Sequence, residues 1–214
     1  MMRRASLVLL CGACSQVTVS GSVGGSRPEL ADAFFLVPVV DLRETETLLV
    51  RVTDVPGACG LFAKAHDEAK ALSTSGGTAA DYEALHARLF PPQMWVVDVI
   101  AELPDVDAEY GSLGLTHTLD TQSLPVETFR VEARHWTTPP DRPAWGLQTD
   151  WKFGDVFHSV NGTATLEKAK RGADVTLDLQ VQTAADREAT EGASLGLQVT
   201  APLCPTYEGE LNET

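Results

Sequence analysis

No apolar run in this 214-residue chain approaches the roughly 20 residues that a membrane-crossing helix requires, so a permanent transmembrane helix is not expected. Basic residues are also scarce. The 16 Lys and Arg face 30 Asp and Glu, giving a net charge of −14, and no Lys/Arg run offsets the imbalance. Such a chain is repelled by nucleic acid and by anionic lipid head groups, which excludes nucleic acid as a partner. The plain account of the acidity is that it keeps an exported protein solvated. The 5 histidines form no H-E-x-x-H pair or other close ligand spacing, so no metal or other cofactor is expected. Internal repeats and low-complexity segments are lacking. One domain with one substantial core is the default for this length.

What the chain does have begins at its N-terminus. Arg3-Arg4, the apolar stretch Ala5 to Ala13 and a closing pair of small residues, Gly12-Ala13, follow the order of a secretory signal. Standing directly before Cys14, that pair makes the segment resemble a bacterial lipoprotein signal, in which the cysteine is lipidated and becomes the new N-terminus. The resemblance implies a signal peptide over 1–13 and a mature chain of 14–214. It also implies more than one acyl chain on Cys14, as stable anchoring requires. Because Ser15 is not an aspartate, the implied destination is the outer membrane, with the protein facing the periplasm or the cell surface. The chain departs from the pattern in carrying Cys11 where leucine is usual, with Leu10 beside it. Cys11 and Cys14 also spell C-x-x-C, but inside a removable signal that motif has no folded setting in which to act.

With Cys14 taken by lipid and Cys11 removed, Cys59 and Cys204 remain, and in an oxidising compartment they are natural partners. Closing so long a loop stabilises a fold by about 5 kcal/mol on the chain-entropy model, less any native strain. A free-thiol catalyst would need a neighbouring base, and the sequence offers none.

Period-two alternation dominates the remainder and predicts half-buried strands. Val175-Thr176-Leu177-Asp178-Leu179-Gln180-Val181 is the clearest case. Val17 to Ser20, Leu48 to Val52, Phe129 to Arg134 and Leu195 to Val199 alternate similarly. Ala33 to Val40 and Met94 to Leu103 are apolar on both parities, as in central strands, although Pro38 weakens the first. Val160 to Val181 reads as a hairpin turning near Gly172. Only residues 61–90 break the pattern. There Leu61, Ala65, Ala69 and Leu72, then Tyr82, Leu85 and Leu89, recur at helical spacing until Pro91-Pro92. The expected fold is mainly β: an antiparallel β-sandwich with a short helical insertion at about 61–90, in a single domain spanning 14–214.

Ser20 to Gly25, Val55-Pro56-Gly57-Ala58-Cys59, Val160-Asn161-Gly162-Thr163 and Val199 to Cys204 occur in an order that resembles uncharacterised exported β-sandwich lipoproteins of Gram-negative bacteria. In that family a cysteine after an early strand faces one in the closing strand, consistent with pairing of Cys59 and Cys204. The resemblance implies no activity.

Chemistry-bearing motifs are weak. Gly192-Ala193-Ser194-Leu195-Gly196 matches G-x-S-x-G, but Ser194 opens an alternating strand and no histidine lies beyond His158. Asp105-Val106-Asp107-Ala108-Glu109-Tyr110-Gly111 spaces its carboxylates like a calcium loop. Its glycine is one place late, and a solvated turn is the plainer reading. His135 shares parity with Val131 and Ala133, and His158 with Val160 and Leu166. Inward-facing imidazoles could meet and, with Asp155, ligate zinc for a metal-dependent hydrolase; the ordinary alternative is hydrogen-bonded core histidines. Trp136, Trp145 and Trp151 lie close in sequence, and Trp136 shares parity with Arg130, Glu132 and Arg134, a face expected to be exposed. Exposed indoles stack on sugars, with Asp150 or Gln148 fixing hydroxyls, or they pack over an open core end. Asn161-Gly162-Thr163 fits a glycosylation sequon but reads as turn or strand. No nucleophile, base and orienter can be assembled. The leading expectation is a non-enzymatic structural or interaction module of the cell envelope, bound to the membrane through its lipid and to an envelope protein. A glycan-binding module is the alternative, and a hydrolase the second.

Overall fold

Alternating sequence becomes strand wherever one parity has apolar neighbours to bury against. The computed structural model describes residues 15–37, 45–116, 125–137, 155–168 and 174–204. The strands are β1 (Gln16–Gly21), β2 (Asp32–Leu36), β3 (Glu46–Thr53), β4 (Gln93–Leu103), β5 (Ser112–Leu115), β6 (Thr128–Thr137), β7 (Asp155–Lys168), β8 (Val175–Ala184) and β9 (Ala193–Ala201). Helices α1 (Ala58–Thr74) and α2 (Ala79–Leu89) form the expected insertion between β3 and β4. The fold is mainly β.

Two facing sheets were expected, and the strands instead form one nine-stranded mixed sheet, ordered β1-β9-β8-β7-β5-β6-β4-β3-β2. It curls until it nearly closes into a barrel. At the seam, the Phe35 N–H donates to the Pro202 carbonyl and the Cys204 N–H donates to the Phe35 carbonyl, both at 2.9 Å. Strand β7 helps the sheet bend, because register shifts at Ser159/Asn161 and at Leu166/Lys168 mark local irregularities of the bulge type. Gly162, next to the first shift, has φ 140°, and a Cβ there would lie 2.3 Å from the Gln180 carbonyl oxygen. The Asn161-Gly162-Thr163 sequence is thus strand, with glycine demanded by backbone approach.

The barrel interior is apolar. Phe35, Leu48, Val50, Val97, Val99, Phe129, Val131, Leu166, Leu179, Leu197 and Val199 are among its buried residues. A second apolar cluster lies outside, where Phe34, Leu36, Leu49, Met94 and Val96 from β2, β3 and β4 meet Ala58, Phe62 and Ala63 of α1 and Phe90 after α2. The inward face of α1 centres on Phe62 and Ala63, with Leu61 and Ala65 partly buried beside them. Phe62 lies 5.9 Å from Phe34 and 5.2 Å from Phe90, ring centre to ring centre.

Both helices start on carboxylates. Asp32 of β2 accepts from the Ala58 N–H at 2.8 Å, placing negative charge at the N-terminus of α1. Thr78 and Asp81 form a capping box that opens α2. The Cys59–Cys204 disulfide, with Cα atoms 5.6 Å apart, ties the first turn of α1 to the chain leaving β9. It therefore pins the helical layer to the barrel seam.

Candidate functional site

The outer face continues beyond the helices as a wall of charge. Antiparallel register puts Arg51 of β3 opposite Asp98 of β4, Asp98 opposite Glu132 of β6, and Glu132 opposite His158 of β7. Arg51 grips Asp98 with two parallel bonds, Nε to Oδ1 at 2.8 Å and Nη2 to Oδ2 at 2.9 Å. This is the fork geometry that suits a guanidinium to a carboxylate. Arg134 bridges the next pair, reaching Asp98 Oδ2 at 3.2 Å with Nη1 and Glu132 Oε2 with Nη2. Arg51 also lies over the Phe62 ring, 4.6 Å from its centre, which joins the charged wall to the helical cluster. On the same face Thr47 donates to Glu102.

The alternation of Phe129 to Arg134 predicted that Arg130, Glu132 and Arg134 lie on an open face, and this is corrected: Glu132 and Arg134 are buried and Arg130 is partly buried. Arg51 is 8% exposed, Asp98 3%, Glu132 3% and Arg134 5%. Charges are tolerated there because each meets an opposite partner across the ladder. Burial acts to raise the Asp98 pKa. The charge and hydrogen bonds of Arg51, with the charge of Arg134, overcome it and hold the carboxyl below its ordinary range.

Where this wall meets β7 there is a small pocket of about 20 Å³ lined by Thr116, Arg130, Val131, Glu132, His158, Ser159 and Arg187. Arg187 comes from the β8–β9 connection and is 3.7 Å from Glu132 Oε1 through Nη2. Arg130 Nε lies 4.0 Å from the same oxygen, too far for a hydrogen bond. The Ser159 hydroxyl accepts from the Val131 N–H at 2.9 Å. Burial lowers the His158 pKa, Arg187 and Arg134 add to the effect, and Glu132 opposes it. Burial likewise lowers the pKa of Arg130, against the pull of Glu132 and Glu102.

His135 and His158 do not converge. Ala133, opposite Phe157, faces the interior, and His135, two residues along, stacks on Trp95 at 4.6 Å with ring planes 19° apart. Asp155 is opposite His135, while His158 is opposite Glu132 on the outer face. The shared parity of His158 and Leu166 misleads because the irregularity at Ser159/Asn161 reverses which parity faces inward. Asp54, near the Trp95–His135 stack, accepts from the Trp95 N–H at 3.1 Å, and its pKa is raised by burial despite that bond. Among the described residues, no group of three or more His, Cys, Asp or Glu is placed to hold a metal ion.

Asp105 forms a local turn. It accepts the Asp107 N–H on Oδ1 at 2.9 Å, and Tyr110 closes over its backbone. Ser194 lies in β9, not on a strand-to-helix turn. Cys14, Trp145, Gln148, Asp150 and Trp151 lie outside the described residues, as does the side chain of Trp136. The arginine pocket was missed from the sequence. Its only local signal is the Arg130-x-Glu132-x-Arg134 alternation, which looks like an ordinary wet face. Comparison with protein-family models, curated proteins and solved structures gave no match.

Proposed function

We propose that this chain is an exported lipoprotein, anchored to the outer membrane through Cys14, that acts as a non-enzymatic structural or interaction module of the cell envelope. The observation that carries the reading is the Cys59–Cys204 disulfide. Structural disulfides persist in oxidising compartments and are rare in the cytosol, so the bond supports export. Strand β1 starting at Gln16 adds to it, since two residues beyond Cys14 leave almost no tether and would hold the barrel near the bilayer.

The test is expression of the full chain in a Gram-negative host with radiolabelled palmitate, followed by fractionation. The parent is expected to take up label and sediment with outer membranes, and Cys14→Ala to do neither. Equal sedimentation of the Cys14→Ala chain, or a parent without label, would sink the anchor.

A further inference from the structure

The pocket between β6, β7 and the β8–β9 connection has a chemistry independent of any anchor. Among the described residues, the outer wall gathers the guanidiniums of Arg51, Arg130, Arg134 and Arg187 against the carboxylates of Asp98, Glu102 and Glu132, an excess of positive charge on a chain whose net charge is −14. The excess falls at the pocket. Asp98 is saturated by Arg51 and Arg134, and Glu132 is held first by Arg134, leaving only distances of 3.7 and 4.0 Å to Arg187 and Arg130. Arg130 Nε is buried without a hydrogen-bond partner. An unpartnered donor on a buried charged group is costly, and an acceptor delivered from outside would relieve it. Ser159 uses its oxygen as acceptor for the Val131 N–H, so its own proton remains to be given.

We propose that this pocket binds a carboxylate group, with Arg130 and Arg187 supplying the charge and Ser159 a hydroxyl donor. A carboxylate is the group assigned because room of about 20 Å³, on the scale of a water molecule, suits the smallest oxyanion head. Planar guanidiniums match it, for the reason seen in the Arg51–Asp98 pair. Arg187, the most exposed of the three, forms the entrance.

The experiment is titration of the full chain with acetate at constant ionic strength, followed by calorimetry and by thermal melting, which a ligand of the native state must raise. Saturable acetate binding is expected, weakened at least about tenfold in Arg187→Gln. Arg187 is part-exposed, so that variant should melt like the parent in the absence of acetate; if it does not fold, parent binding of acetate over chloride and phosphate decides alone. No saturable acetate binding, equal binding of chloride or phosphate, or a folded Arg187→Gln that binds acetate like the parent would each overturn the assignment.

Discussion

On the inner side of β3, β4 and β6, Val50, Val52, Val97, Val99, Val131 and Ala133 fill the barrel with carbon alone. On the outer side of the same strands, Arg51, Asp98, Glu132 and Arg134 are buried just as thoroughly. The inner face gains by removing apolar area from water, at about 25 cal/mol per Å², and asks little of geometry beyond volume. The outer face removes charge from water, and that cost is offset only while every partner stays in place. One side of the sheet is therefore tolerant and the other brittle. Pairing on the outer wall specifies an arrangement more than it adds stability.

The largest effect should come from breaking the wall at its centre. Asp98→Ala would leave Arg51 and Arg134 buried without their shared carboxylate, and a loss of about 3–5 kcal/mol is expected in urea unfolding. Replacing Arg51, Asp98, Glu132 and Arg134 together with apolar residues of similar volume should recover most of that loss, because no member of the wall is then left without its partner. A quadruple variant no more stable than Asp98→Ala would show that the charges stabilise the fold in their own right.

Reduction comes next. Cys204 is fully buried in the outer cluster, and the disulfide holds that cluster to the seam where Phe35 meets Pro202 and Cys204. The Cys59→Ser/Cys204→Ser variant is expected to lose about 2–4 kcal/mol. Hydrogen exchange should rise first at the Phe35 amide and at the backbone amide of position 204. Uniform exchange across β1 to β9 would refute the latch at the seam.

Acid should also separate the faces. His86 of α2 is buried against Phe90, with ring centres 4.7 Å apart, and desolvation lowers its pKa to about 4 from 6.5. Between those values the unfolded chain binds the proton and the folded one refuses it, so stability falls as pH falls. The loss begins near pH 6.5 and reaches about 3 kcal/mol near pH 4, where it levels off. His86→Leu should remove that portion of the slope, and a variant with the parent's pH dependence would assign the acid response elsewhere.

Much of the architecture was readable along the chain. Alternation located β1, β3, β6, β8 and β9, the run of apolar residues on both parities located β4, and helical spacing with Pro91-Pro92 located the insertion. Cysteine counting found the pairing of Cys59 with Cys204. Short β5 was not found, because four residues joined in parallel to β6 have no distinctive pattern. The histidine pair was misjudged through the register shift at Ser159/Asn161, and a one-residue irregularity has no mark in period-two counting beyond the glycine at 162.

By itself the sequence determined which residues alternate and where the helices fall, since each depends on neighbours within a few positions, and it singled out Cys59 and Cys204 as the pair an oxidising compartment would join. Tertiary structure alone decided that one sheet curls almost shut, that Glu132 and Arg134 are buried with Arg130 partly covered beside them, and that Arg187 joins Arg130 and Ser159 around one pocket. Those outcomes depend on which strands become neighbours. Alternation fixes the two faces of a strand, but only the paired partners and covering layers decide which face is dry.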